Sequence, residues 1–131
     1  MSMLKKSNMR VLITGANGLL GQKLVYLLHE QNVPFLATSK GACRISLSGT
    51  PYQALDVRDP LQIKDCIDQY QPTTIIHTAA FTQVDQCETE KVKCWELNVE
   101  AVGHLIEASQ ERDIHFIHPV SYTHLTLPTK A

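Results

Sequence analysis

The sequence predicts an α/β fold: a parallel five-stranded sheet in the order 3-2-1-4-5, with helices on both faces. Three observations carry that expectation. Residues 10–24 join a short apolar run, Val11-Leu12-Ile13-Thr14, to glycines at three-residue spacing, Gly15, Gly18 and Gly21, which open an amphipathic segment. Strand-like runs then alternate with segments of helical period along the rest of the chain, the pattern of right-handed crossovers and a doubly covered sheet. Finally, residues 74–78 form a continuous run rich in β-branched residues, as a strand buried on both faces requires.

The glycine turn sets the frame for the rest. Backbone chemistry asks for glycine three times there: for a sharp turn, for close approach to a pyrophosphate, and for tight helix–strand packing. The helix that follows presents unpaired N–H groups and the positive end of its dipole. Leu20, Leu24, Leu27 and Leu28 recur at helical spacing, which predicts a helix over 19–31 with one apolar stripe. Residues 33–39 form a second strand, with Pro34 near its start, where a missing donor costs least. Residues 40–51, rich in Gly, Ser and Pro, read as a loop, and residues 52–57 as a third strand.

Asp59-Pro60 is a helix start, an acceptor at the N-cap followed by proline at the first helical position. Ile63, Cys66, Ile67 and Tyr70 continue its apolar face up to Pro72. After the fourth strand come Ala79-Ala80 and a polar loop to residue 88. A long helix over 90–112 follows, with Val92, Trp95, Val99, Val102 and Ile106 expected on its buried face. Residues 114–118 are the fifth strand. The ligand crevice is expected between strands one and four.

Composition narrows the function classes. The 131 residues are enough for one domain with a real core. A formal net charge of −1 gives no case for nucleic acid or an anionic membrane surface, and no apolar run approaches a membrane span. The first eight residues lack the apolar stretch of a signal peptide and read as a loose extension, so the expected location is the cytoplasm. The four cysteines form no C-x-x-C pair and the six histidines no ligand spacing, so no metal site is expected. Cys66 and Cys94 read as small core residues.

Thr14-Gly15-Ala16-Asn17-Gly18-Leu19-Leu20-Gly21 resembles the cofactor turn of the extended short-chain dehydrogenase/reductases, which have a Rossmann-type fold. More narrowly, residues 77–88 (His-Thr-Ala-Ala-Phe-Thr-Gln-Val-Asp-Gln-Cys-Glu) are similar to the dTDP-4-dehydrorhamnose reductase group, and Asn98-Val99 matches its next helix. The likeness covers residues 9–118. It implies NAD(P)(H) in the crevice: Gly18, Leu19 and Leu20 at the pyrophosphate, with Gly15, Asn17 and Gly21 also in the cofactor turn, Asp56 and Val57 beside the adenine, and Ala79, Ala80, Phe81 and Thr82 along the nicotinamide ribose. Each has a plainer alternative. Asp56 can cap a turn, Ala79-Ala80 can be close packing, Phe81 a surface aromatic, and Asn98 a structural brace.

Cofactor choice turns on the end of strand two. NAD-selective members place an acid there, but this chain has Ser39 and Lys40, which suit a 2′-phosphate. NADPH is therefore preferred over NAD, with Lys40 as a solvated surface lysine the alternative.

The resemblance also implies parts that the chain lacks. No Tyr-x-x-x-Lys follows strand five, and Ser121, although placed near the family's catalytic hydroxyl, has none of its neighbours, so no catalytic residue is assigned. Residues 119–131 show no apolar periodicity and read as an unstructured, non-native tail on a sheet truncated after strand five. The expected function is the NAD(P)H-binding part of a sugar-nucleotide reductase that transfers hydride to a 4-keto-deoxysugar nucleotide, without turnover from this chain alone. The alternative is a non-catalytic regulatory subunit, like that of methionine adenosyltransferase. An uncovered fifth strand favours self-association, with a homodimer among the outcomes.

Overall fold

The computed structural model describes residues 9–78 and 91–118. Its five strands form one parallel sheet in the order β3-β2-β1-β4-β5. They are β1 (Val11–Thr14), β2 (Phe35–Ser39), β3 (Tyr52–Ala54), β4 (Thr74–His77) and β5 (His115–Ile117). The helices are α1 (Leu19–Glu30), α2 (Pro60–Tyr70) and α3 (Lys91–Glu111). The fold is Rossmann-type, and the predicted strand order is the observed one.

Alternation along each strand divides the core in two. Val11 and Ile13 of β1 face Val25 of α1 together with Val33, Phe35 and Ala37. Leu12 and Ile75 point the other way, onto Ile63, Cys66 and Ile67 of α2 and Ala101 and Leu105 of α3. Both β1 and β4 are therefore apolar on two sides, which is why neither shows polar alternation.

Helix α2 forms as its sequence demands. Asp59 caps it, its carboxylate accepting from Leu61 N–H at 3.0 Å, and Pro60 fills the first helical position. Its far end is closed by Gln71 in the left-handed region at φ 55°. The predicted face Ile63, Cys66 and Ile67 is buried, and burial pushes the Cys66 thiol up to about 11.

Two helical faces differ from expectation. On α1 the inward line is Gly21 and Val25, while Leu27 is half exposed. The glycine lets the helix sit against its own turn, and that close approach sets the rotation. On α3 the buried line is Ala101, Leu105 and Ser109, whereas Val99 is 57% and Ile106 37% exposed. Two apolar lines run one residue apart along α3, and the line bearing the small residues packs inward. The side chains of Val92, Cys94, Trp95 and Asn98 lie outside the described residues, as do residues 1–8 and 119–131. The strands are also shorter than predicted, β2 starting at Phe35 after Pro34 and β3 ending at Ala54.

No helix among the described residues is long and apolar enough to cross a membrane. Nor do they contain a group of three or more His, Cys, Asp or Glu placed to hold a metal ion.

Candidate dinucleotide site

The carboxyl ends of β1, β2 and β4 meet at the glycine turn. Gly15 leaves β1 at φ 74°, a conformation that favours glycine, and its carbonyl accepts from Gly18 N–H at 3.0 Å. Gly18 is the N-cap of α1 in extended backbone and makes no side-chain capping bond. The first N–H groups of α1 thus have neither an intrahelical acceptor nor a side-chain cap at Gly18. There is no acid in that first turn to compete with an anion.

Gly21 is required for a different reason. A Cβ there would lie 2.4 Å from Gly15 O and 2.6 Å from Ala16 Cα, so only glycine lets α1 approach the turn. Leu19 is 78% exposed beside the turn and Leu20 half-buried. Together these features make a backbone cradle of the kind that a pyrophosphate fills.

The cradle is braced from the neighbouring strands. Ala16 N–H donates to Thr38 O at 2.8 Å, and the buried Thr38 hydroxyl donates to Ile13 O at 2.7 Å. Thr78, just past β4, donates through its hydroxyl to Thr14 O at 2.6 Å, with Gly15 O at 3.1 Å. Register pairs Thr14 with His77, and the Thr14 hydroxyl and His77 Nδ1 share a 2.6 Å hydrogen bond.

His77 is fully buried, and its Nε2 has no hydrogen-bond partner among the described residues. Its ring lies 5.0 Å from that of His118 and 6.2 Å from that of Phe116. Burial, with His118 adding to it, lowers His77 to about 3, so the ring is neutral at ordinary pH. None of Thr14, Thr38, His77 and Thr78 was singled out as a site residue from sequence. Their common signal is a polar residue at the carboxyl end of an otherwise apolar strand.

At the end of β2, Ser39 is half-buried and Lys40 exposed; the strand end itself carries no acid, and the nearby Asp56 carboxylate feels the charge of Lys40. The loop that follows is held in place. Asn17 Nδ2 donates to Ala42 O at 2.9 Å, and Asn17 Oδ1 accepts from Arg44 N–H at 2.8 Å. The Tyr52 hydroxyl lies 3.0 Å from Ser39 O and 2.6 Å from Gly41 O. Arg44, exposed in this loop, was missed by sequence reasoning because nothing periodic marks it.

Asp56 forms a turn, accepting from Arg58 N–H at 3.0 Å and pairing with the guanidinium at 3.1 Å. The hydrogen bond from Arg58 holds the Asp56 carboxyl below its usual range, with Lys40 a lesser contributor. Val57 is buried in the α2–α3 core, with only its backbone near the surface turn that Asp56 forms. Ala79, Ala80, Phe81 and Thr82 lie outside the described residues. A separate cleft of about 370 Å³, bordered by Arg10, His29, Pro34, Thr50 and Tyr70, opens at the opposite end of the sheet.

Residues 9–123 match the family described as the RmlD substrate binding domain. A dTDP-4-dehydrorhamnose reductase of Aggregatibacter actinomycetemcomitans is 32% identical over 109 residues, 83% of this chain and 33% of that protein. The probable low-salt glycan biosynthesis reductase Agl14 of Haloferax volcanii is 32% identical over 110 residues, 84% of this chain and 36% of that protein. Among solved structures, a hypothetical dTDP-4-dehydrorhamnose reductase from Sulfolobus tokodaii superposes with a TM-score of 0.65 at 37% identity, over 84% of this chain and 38% of that one. The chain spans about a third of the length of the curated relatives it matches.

Proposed function

The chain belongs to the dTDP-4-dehydrorhamnose reductase family of sugar-nucleotide oxidoreductases, and on that premise we propose that residues 9–118 are its NADPH-binding part. The observation that supports this most is the cradle at Gly15–Gly21, where an uncapped helix start and a glycine that admits no Cβ leave backbone N–H groups open to a diphosphate. Gly15, Gly18, Leu19, Leu20 and Gly21 hold the pyrophosphate. Asp56 and the Val57 backbone border the adenine. The resemblance adds Ala79, Ala80, Phe81 and Thr82 on the nicotinamide side.

Ser39 and Lys40 at the end of β2 favour a 2′-phosphate over a free hydroxyl, since an acid, the usual partner of that hydroxyl, is absent. When bound, the reduced nicotinamide supplies a hydride to a ketone carbon, here that of a 4-keto-deoxysugar nucleotide, whose oxygen takes up a proton. This chain's residues bind and orient the dinucleotide. The 131 residues contain no Tyr-x-x-x-Lys after β5 to deliver that proton, and no catalytic residue is assigned to them.

Titration with NADPH and NADH, followed by nicotinamide fluorescence, tests the reading. NADPH is expected to bind about tenfold or more tighter than NADH, and Lys40→Ala to shrink that ratio severalfold, as loss of one phosphate-facing cation should. Equal affinities in the parent chain would overturn the cofactor assignment.

A further inference from the structure

The resemblance puts Asn17 in the cofactor turn, and in the structure its side chain holds a neighbouring loop. Both ends of the amide are spent on the loop after β2, with Nδ2 donating to Ala42 O and Oδ1 accepting from Arg44 N–H. The backbone of Asn17 is itself fixed to α1, because Gln22 Nε2 donates to its carbonyl at 2.7 Å. One residue of the glycine turn therefore grips a loop 25 to 27 positions away in sequence.

That loop carries two cations, Lys40 before Gly41 and Arg44 at the gripped end. Both are exposed, and no hydrogen bond or ion pair of the Arg44 guanidinium is seen among the described residues. Gly41, at φ 87°, bends the chain between them, and nothing lies within 4 Å of where its Cβ would be. Tyr52 closes the loop from the other side through Ser39 O and Gly41 O. The Tyr52 phenol also registers the rest of the cluster. Burial raises it first and Cys43 adds to that, while the nearby Asn17 amide and the charge of Arg44 pull it back.

We propose that Asn17 is a positioning residue for cofactor selection: it locks the Lys40–Arg44 loop to the pyrophosphate turn, so that Lys40 and Arg44 together receive the adenosine 2′-phosphate. This rests on the dinucleotide reading above and extends it from the end of β2 to a preorganised two-cation loop. A flexible loop would have to be ordered each time the phosphate binds, and that cost falls on the phosphorylated cofactor alone. The turn that holds the pyrophosphate and the loop that reads the ribose are thereby coupled. Asn17 contributes to discrimination without touching the group that it discriminates.

The test is the ratio of two dissociation constants, measured on the full chain with NADPH and NADH, and by competition with 2′,5′-ADP against 5′-AMP. Asn17→Ala is expected to weaken NADPH about tenfold and NADH no more than about threefold, the scale of two lost side-chain-to-backbone bonds. Arg44→Ala should lower the ratio in the same way. Combined with Asn17→Ala it should lower it by much less than the product of the single effects, because the two act through one loop.

Asn17→Ser, too short to span both loop partners, repeats the test if the alanine variant does not fold, and retained NADH binding certifies the fold. Equal weakening of both cofactors would make Asn17 a direct pyrophosphate contact or a general brace, and would overturn the proposal. So would an unchanged ratio in a parent chain that does prefer NADPH. A parent chain with no preference for NADPH refutes the cofactor reading itself, and this inference with it.

Discussion

Gly21→Ala tests the geometry of the cradle directly. Alanine in an unconstrained helical position gains about 1 kcal/mol over glycine. At position 21 the new Cβ would stand 2.4 Å from Gly15 O, 2.6 Å from Ala16 Cα and 3.0 Å from Ala16 C, all backbone atoms that cannot swing aside. Restoring ordinary contact requires moving the turn and α1 apart by about 1 Å, an overpacking strain of about 1–3 kcal/mol or more beyond the propensity gain. A net loss of about 2 kcal/mol, at a urea slope of about 1–2 kcal/mol/M, lowers the unfolding midpoint by about 1–2 M. Gly103→Ala is the matched control. It lies exposed within α3 with nothing within 4 Å of its Cβ, so it should gain about 1 kcal/mol and raise the midpoint. Urea melts of both variants give the signs. A Gly21→Ala chain as stable as the parent would refute the reasoning, as would a Gly103→Ala chain that is less stable.

Two further outcomes follow from the buried polar groups beside the turn. Thr78→Val keeps the shape but removes the hydroxyl bonded to Thr14 O and Gly15 O, and should cost about 1–2 kcal/mol in the same urea assay. An unchanged midpoint would show that the hydroxyl braces nothing. His77, lowered by burial to about 3, binds a proton more readily unfolded than folded at any pH between its ordinary value and about 3. Stability should therefore be level above about pH 6.5 and fall by up to about 1.4 kcal/mol per pH unit below it. His118, lowered by burial, adds in the same direction, and Asp56, held low by Arg58, steepens the loss only below its own ordinary range. His77→Asn should flatten the profile between pH 4 and 6.5, and a slope left unchanged there would contradict the assignment.

What the sequence made legible was local. The Asp59-Pro60 start and the Ile63, Cys66, Ile67 face are decided within one helix, and the structure has them where the pattern puts them. The glycine spacing likewise encodes a turn whose demands arise within seven residues. The rotation of α3 was not legible, because Ala101–Leu105 and Val102–Ile106 are both apolar lines and only packing on β4, β5 and α2 selects between them. The grip of Asn17 on Ala42 and Arg44 depends on the path of an irregular loop, and the Thr14–His77 bond on the register of two strands 63 residues apart. Neither leaves a periodic trace.

In the proposed function, the glycine turn and the loop after β2 bind a nicotinamide dinucleotide. Titrating the isotope-labelled chain with NADPH, and following its amide resonances, addresses it most directly. Saturable one-to-one shifts centred on residues 15–21, 39–44, 56 and 57, and 79–82 are the predicted result. No shifts there, or shifts centred on Arg10, His29 and Tyr70 at the opposite end of the sheet, would contradict it.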